Sequence, residues 1–427
     1  MSMNHFMLPE DSPAGRIAAQ GLGLPRMALG GIGRLLSRAG EAQLFGFIDR
    51  NLEAGILTVE VPSGELRTFR GAEPGPEADL HFRNWDALKR LFGAGSVGFA
   101  DSYIAGHWET TDLAALIELA ARNRLGARRE IQGHKLSQAL QRLAHSVRPN
   151  SRKGSRRNIA AHYDLGNEFY TSWLDDTVTY SSGVFPTEDT TLEEAQRHKY
   201  RRLLDMIDPK PGERVLEIGC GWGGFAEFAA RERGVDVTSI TISQEQHRYA
   251  SERIQRAGLG NQVSVQLVDY RDVQGNFDHL ASIEMFEAVG EKYWPAFFDK
   301  VAQTVRPGGR AALQVITIRD DAYESYRRRP DFIQTHIFPG GMLPSLKVFR
   351  EEVGRAGLKV LNEAFYADHY ARTLRLWRER FETAAEGLRF DGLDDRFRRL
   401  WRYYLAYCEG GFRAKTIDVM QVALTRE

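Results

Sequence analysis

The sequence predicts an α/β protein, a doubly wound parallel sheet preceded by a small α+β domain, on three observations. From Arg214 onward short apolar runs alternate with amphipathic stretches of helical period, separated by Gly or Pro, the order that builds a parallel sheet covered by helices on both faces. One of these runs, Val215-Leu216-Glu217-Ile218, passes directly into Gly219-Cys220-Gly221-Trp222-Gly223-Gly224, which predicts a buried strand, a tight turn and a helix start. Ahead of residue 125 the pattern is different: alternating strand signals and a hairpin turn come first, helices afterwards.

At 427 residues the chain is long for one domain. Residues 1–37 are rich in Gly, Met and Ala and broken by Pro9, Pro13 and Pro25; the expectation is a loosely packed tail, with a short amphipathic helix over Ala28 to Ala39 as the alternative. Residues 38–125 form the small domain. Gly55 to Val61 alternates as a half-buried strand, Pro62-Ser63-Gly64 turns, and Leu66 to Phe69 returns as its hairpin partner, with a third extended piece at Ala78 to Phe82. Asn84 is placed to cap a helix from Trp85, and Leu113 to Ala121 has helical spacing. Nothing here combines nucleophile, base and orienter, so a lipid or docking role is expected.

Residues 126–157 are a basic stretch in which Arg128, Arg129, Lys135, Arg142, Arg148, Arg152, Lys153, Arg156 and Arg157 face Glu130 as the acid. Two readings stand, a solvated linker and a contact for anionic lipid headgroups, to which each basic residue near a charged surface adds ~1 kcal/mol. No interleaved aromatic platform supports nucleic acid.

Residues 158–427 carry the doubly wound sheet. The expected order is a strand at Arg214 to Ile218, a helix from Gly223 to Arg233, a strand at Asp236 to Ile242, a helix from Gln244 to Ala257, and strands at Val263 to Val268 and His279 to Ile283. A helix from Tyr293 to Val305 then ends at Pro307-Gly308-Gly309, and a fifth strand spans Ala311 to Ile318. Extended pieces near Leu358 to Leu361 and Val419 to Leu424 would close the sheet as an edge hairpin.

Lys plus Arg equals Asp plus Glu at 57 each, so net charge favours neither nucleic acid nor membrane. No apolar run approaches the ~18 residues a membrane-spanning helix needs. Two cysteines, Cys220 and Cys408, give neither metal spacing nor a disulfide framework, which suits a cytoplasmic setting and a site without metal.

Ligands of such sheets bind beyond the carboxyl ends of the strands. The alternate glycines Gly219, Gly221 and Gly223 let a ligand approach the backbone, and the following helix start offers N–H groups to negative charge. Gly219, Gly221 and Gly224 also satisfy a dinucleotide fingerprint, but no acid stands at the end of the second strand for a ribose. Thr241, Ser243 and Gln246 occupy that end, Asp269-Tyr270-Arg271-Asp272 the next, and Glu284 and Glu287 the one after. Gln246 suits ribose hydroxyls and Tyr270 offers a flat face to a base.

The segments His162-Tyr163-Asp164-Leu165-Gly166-Asn167, Tyr180-Ser181-Ser182, the glycine stretch, Glu284-Met285-Phe286-Glu287-Ala288-Val289-Gly290 and Gly410-Gly411-Phe412-Arg413 occur in an order that resembles the cyclopropane-fatty-acyl-phospholipid synthases. The resemblance covers residues 158–427 and, more loosely, the small domain. It implies a class I methyltransferase fold using S-adenosylmethionine (SAM), acting on cis double bonds of phospholipid acyl chains at the inner membrane surface, with room for a homodimer. By resemblance, Tyr180 and Ser181 meet the methionine part of SAM, and Glu217, Gly219, Cys220, Gly221 and Gly223 its centre. Thr241 and Gln246 then lie near the ribose, Tyr270 and Arg271 near adenine. The family also holds a bicarbonate ion, at positions matching Ser182, Glu287, Gln314, Ile316 and Tyr370, and its thiol where Cys408 stands makes that residue a candidate active residue by resemblance.

The implied chemistry adds a methyl group to an alkene and leaves a carbocation, from which bicarbonate removes a proton so that a cyclopropane closes. Glu287 and Tyr370 are expected to fix that ion. Many bacterial members carry Cys at Ser182 and His at Gln314; Gln314 donates an amide hydrogen but cannot carry a proton, and a contact through the Ser182 backbone N–H survives the exchange. Leu313-Gln314-Val315-Ile316-Thr317-Ile318 resembles a branch with plant-like synthases, so a methylene- or methyl-branched product is the alternative outcome. Cys408 is expected to pack rather than react. The stretch from Arg327 to Pro344 suits a cover, with Phe332, Ile333, Ile337 and Phe338 as candidate acyl-channel residues. A reading from another class is a catalytically silent lipid-binding protein that keeps the SAM pocket.

Overall fold

The computed structural model describes residues 29–125, 165–387 and 394–426. Residues 1–28, the basic stretch and His162-Tyr163-Asp164 lie outside the described residues. The chain divides into two compact units, residues 1–138 with 389–403, and residues 139–388 with 404–427.

The first unit runs α1 (Leu29–Asn51), β1 (Ala54–Glu60), β2 (Leu66–Arg70), β3 (Glu73–Phe82), α2 (Asp86–Ile104), β4 (Trp108–Glu109) and α3 (Leu113–Arg122). Helix α1 begins at Leu29, as the helix alternative over Ala28 to Ala39 has it rather than the loose tail, and it runs on to Asn51, where its later turns bury Leu44, Phe45, Phe47 and Ile48. The sheet order is β2-β1-β3-β4. Strands β1 and β2 form the expected hairpin, while β3 pairs parallel to β1. Burial alternates along β1, with Leu57 and Val59 inward, as a one-sided sheet requires. Asn84 accepts from the Asp86 N–H at 3.0 Å, so the helix starts one residue later than expected. Arg399 donates to the carbonyls of Tyr103 and Trp108 and to the Glu109 carboxylate, at 2.6, 3.2 and 2.8 Å.

The second unit runs α4 (Asn167–Thr171), α5 (Leu192–Ile207), β5 (Arg214–Ile218), α6 (Gly224–Arg233), β6 (Asp236–Thr241), α7 (Gln244–Arg256), β7 (Val263–Leu267), β8 (Phe277–Ile283), α8 (Trp294–Thr304), β9 (Val305–Ile318), α9 (Asp320–Arg328), α10 (Leu346–Arg355), β10 (Leu358–Phe365), α11 (Ala367–Gly387), α12 (Asp395–Arg413, entering from the first unit) and β11 (Ile417–Arg426). Seven strands form one sheet in the order β10-β11-β9-β8-β5-β6-β7. Its central strands are buried on both faces: Val215 packs with Leu203, Leu204, Phe225 and Ala229, whereas Leu216 and Ile218 pack with Leu280, Phe297 and Leu313. That two-sided burial, contributing roughly 1.5–3 kcal/mol per large side chain, is why these strands are continuous apolar runs.

Two expectations are corrected. The Pro307-Gly308-Gly309 turn lies inside β9: the strand starts at Val305 and the pairing with β8 slips between Val305 and Arg310, so the Pro-Gly-Gly stretch is a bulge in the ladder. Strands β10 and β11 pair antiparallel, but two helices connect them and β11 inserts between β9 and β10, so they are not a hairpin. Among the described residues no helix is long and apolar enough to cross a membrane.

Candidate active site

At the carboxyl end of β5 the chain makes the expected turn. Gly219 and Gly223 have φ of 94° and 84°, conformations that cost most side chains energy. A Cβ on Gly219 would stand 2.9 Å from Met285 Cγ, and one on Gly223 3.1 Å from the Ala250 Cβ. The Gly219 and Cys220 N–H groups both donate to the Ile240 carbonyl, at 3.0 and 2.9 Å, which locks the turn to the end of β6. There Thr241 donates to Gln246 Oε1 at 2.9 Å, and Ser243 caps α7 by accepting from the Gln246 N–H. The Tyr270 ring meets Phe297, its hydroxyl is buried without a hydrogen-bond partner, and Arg271 is held by Asp269 at 2.8 and 2.6 Å. Arg271 is therefore committed to Asp269, and its guanidinium stands 5.5 Å from the Tyr270 ring. Cys220 is buried and turned to the Gly221 carbonyl, and burial pushes its thiol well up, away from reactivity.

A second constellation is centred on Glu284, at the end of β8. Its Oε1 accepts from the Ser182 N–H at 2.8 Å and the Gln314 amide at 2.7 Å, and its Oε2 accepts from the Tyr370 hydroxyl. Gln314 is itself oriented, since Gln421 on β11 donates to its Oε1 at 2.9 Å. The Ser182 hydroxyl turns to the Gly183 carbonyl, so the backbone N–H enters the site. Glu287 is next door: one oxygen accepts from the Ile316 N–H and the other is buried with no partner. Lys199, fully buried, donates to the Ser181 hydroxyl at 2.6 Å. Burial pulls Lys199 down to about 7, against the charges of Glu284 and Asp175. Glu284 is pushed up by burial, opposed by the Tyr370 hydroxyl, the Lys199 charge and the Gln314 and Ser182 donors.

Burial also pushes Glu217 and Glu287 up to about 8, the latter helped by the charge of Glu284. Their ordinary value is 4.5. Below that pH both groups are protonated in either state; between 4.5 and about 8 the unfolded chain releases protons that the folded chain keeps, so stability is lost as pH rises through this window. Urea unfolding should therefore give a higher free energy at pH 5 than at pH 8. Glu217→Gln is expected to flatten that slope by up to about 1.4 kcal/mol per pH unit.

An aromatic wall adjoins these carboxylates. The Tyr180 hydroxyl meets that of Tyr404 at 2.6 Å, and its ring packs on Tyr170, Trp173 and Trp377 with centroids at 5.5, 5.6 and 5.3 Å. Tyr370 stacks on Phe412 at 4.4 Å. Cys408 lies within the influence of Asp331 and Glu284, and burial first, then these charges, push its thiol up. It is a neutral group, not a nucleophile. The stretch after α9 is ordered, with Phe332 and Ile337 buried, Ile333 and Phe338 partly so, and the Met342 N–H bonded to the Glu287 carbonyl at 2.9 Å.

Sequence reasoning had Glu284 at a strand end but assigned it no role, and missed Lys199 and Tyr404. Lys199 had a signal: it falls in helical phase with Leu192, Ala195, Leu203 and Ile207 on the buried stripe of α5. The structure does not turn Glu287 and Tyr370 toward one shared position: Tyr370 donates to Glu284, and Glu287 accepts from the Ile316 N–H. The four donors at the assigned positions are engaged, three by Glu284 and the Ile316 N–H by Glu287. A small anion would enter beside the Glu284 carboxylate with those four donors taken and only the protonated Glu287 carboxyl, whose second oxygen has no partner, left to donate to it, so the cradle expected for bicarbonate is already filled by Glu284.

Residues 150–422 match the family described as mycolic acid cyclopropane synthetase. The chain is 42% identical over 373 residues to the tuberculostearic acid methyltransferase UfaA1 of Mycobacterium tuberculosis, covering 84% of this chain and 86% of that protein. It is 35% identical over 351 residues to the cyclopropane-fatty-acyl-phospholipid synthase of Escherichia coli K12, covering 82% and 88%. The structure of the cyclopropane synthase MmaA2 from M. tuberculosis superposes with a TM-score of 0.59 at 30% identity, covering 64% of this chain and 98% of that one. That of mycolic acid cyclopropane synthase CmaA1 with SAH and CTAB gives 0.58 at 29% identity, covering 64% and 98%. With its seven-stranded sheet and glycine turn, the chain belongs to the mycolic acid cyclopropane synthetase family and is a SAM-dependent methyltransferase.

Proposed function

We propose that the enzyme methylates a cis double bond in a phospholipid acyl chain, working at the cytoplasmic face of a membrane, and that the added carbon then loses a proton. The observation that carries this reading is the buried Glu284 cluster set beside an aromatic wall. SAM, when bound, supplies an electrophilic methyl group. An alkene is a weak nucleophile, so the residues' first task is alignment in a closed site. The turn at Gly219 to Gly223 and the Tyr180–Ser181 segment are suited to hold the cofactor. Tyr180, Tyr370 and Trp377 lie against one another in the aromatic wall, a setting that favours positive charge developing on the acyl chain, and Phe332 and Ile337 suit the acyl channel.

Loss of the proton with ring closure gives a cyclopropane. A second reading, an exocyclic methylene that is the precursor of a methyl branch, is favoured by the 42% identity to a tuberculostearic acid methyltransferase. Incubating the enzyme with SAM carrying a trideuterated methyl group and vesicles of unsaturated phosphatidylethanolamine tests both. Lipid should gain one carbon bearing two of the three deuterium atoms, and deuterium NMR distinguishes a deuterated cyclopropane carbon from a deuterated exocyclic methylene. Lipid that gains no label rejects alkene methylation.

A further inference from the structure

We propose that Glu284 is the base of the reaction, its carboxylate standing permanently in the seat that would otherwise receive a small oxyanion. This rests on the reading of the enzyme as an alkene methyltransferase. Three independent parts of the chain aim donors at this one group: the Ser182 N–H, the Gln314 amide and the Tyr370 hydroxyl, at sequence separations of 102, 30 and 86 residues. Such a set is what an oxyanion asks for, and here a side chain supplies it. The backbone carries a second, separate sign. Glu284 has φ of 48°, a left-handed conformation that costs a non-glycine residue roughly 1–3 kcal/mol and that persists where function demands it. A glycine would adopt it without strain, so the strain is tolerated for the sake of the carboxylate.

Chemically the step balances. The sulfur–methyl bond breaks as the alkene π pair forms the new carbon–carbon bond, leaving a cation on the acyl chain. Glu284 then takes a proton from the added methyl, and the released C–H pair forms the ring bond or, after a hydride shift, the exocyclic double bond. No external base is consumed, and the proton leaves to water between turnovers. Lys199 and the three donors favour the ionised carboxylate and oppose the upward push of burial; the neighbouring Glu287 differs in having no side-chain donor and an unpartnered oxygen.

The test compares wild type, Glu284→Gln and Glu284→Gly. Wild-type turnover in carbon-dioxide-free buffer should equal that with millimolar bicarbonate, and calorimetry should show no bicarbonate binding. Glu284→Gln should lose at least about a hundredfold in turnover and keep its affinity for S-adenosylhomocysteine, which separates a lost base from a lost fold. Glu284→Gly, relieved of backbone strain, should bind bicarbonate and regain severalfold turnover with bicarbonate or formate. Wild-type dependence on bicarbonate, bicarbonate binding by wild type, or undiminished turnover in Glu284→Gln would each overturn the proposal. A wild type that labels no lipid defeats the alkene reading instead; the bicarbonate-binding comparison then still decides who occupies the seat.

Discussion

Replacing Gly219 by alanine is expected to lower SAM affinity more than about tenfold, equivalent to ~1.4 kcal/mol, and turnover with it. Two effects add. The residue sits at φ 94°, where a side chain costs roughly 1–2 kcal/mol, and its new Cβ would press on Met285 at 2.9 Å. Met285 is the residue after Glu284, so relief of that clash moves the loop carrying the carboxylate as well as the turn facing the cofactor. Calorimetric titration with SAM measures the first consequence. Thermal unfolding controls for stability, where a loss of a few degrees is expected for strain of this size. Unchanged affinity would remove Gly219 from the cofactor site.

Lys199→Met should cut turnover at neutral pH by about tenfold or more and move the acid limb of the pH–rate profile to higher pH. The sign follows from the electrostatics: the Lys199 charge favours ionised Glu284, so without it the carboxylate holds its proton to higher pH and a larger share of enzyme lacks the base. Methionine is chosen because it fills a fully buried volume with an apolar chain of similar length, and the carboxylate that loses its cation responds by holding its proton. The Ser181 hydroxyl loses its partner at 2.6 Å, which affects cofactor binding equally at all pH values. The shift of the limb separates the two roles, and a profile lowered uniformly would assign Lys199 to the hydroxyl alone.

The fold was legible because burial on both faces writes itself into composition. Val215, Leu216 and Ile218 had to be apolar together, and the glycine turn behind them has a local steric cause. The bulge at Pro307-Gly308-Gly309 was not legible, since the same residues that end a helix also interrupt a ladder. Nor was the insertion of β11 between β9 and β10, which depends on pairing across long separations. The same limit governed the site. Ser182, Gln314 and Tyr370 were recognisable as a set through family resemblance, but which group they hold is decided by register and by a single backbone dihedral. The residue at their centre, Glu284, looked like one of several acids at a strand end.

The insertion of β11 also orders events during synthesis. Phe365 ends β10 and Ile417 opens β11, so at translation rates of about 5–20 residues per second several seconds separate the two strands at the ribosome. Throughout that interval β10 has no neighbour in the sheet and β9 has an open edge. Residues 389–403, which belong to the other unit, are made in the same interval. The amide of Gln314 receives its orienting bond from Gln421 only when the final strand is in place. A nascent chain stalled before β11 would therefore hold the cofactor turn already folded beside a carboxylate whose surrounding donors are not yet aligned.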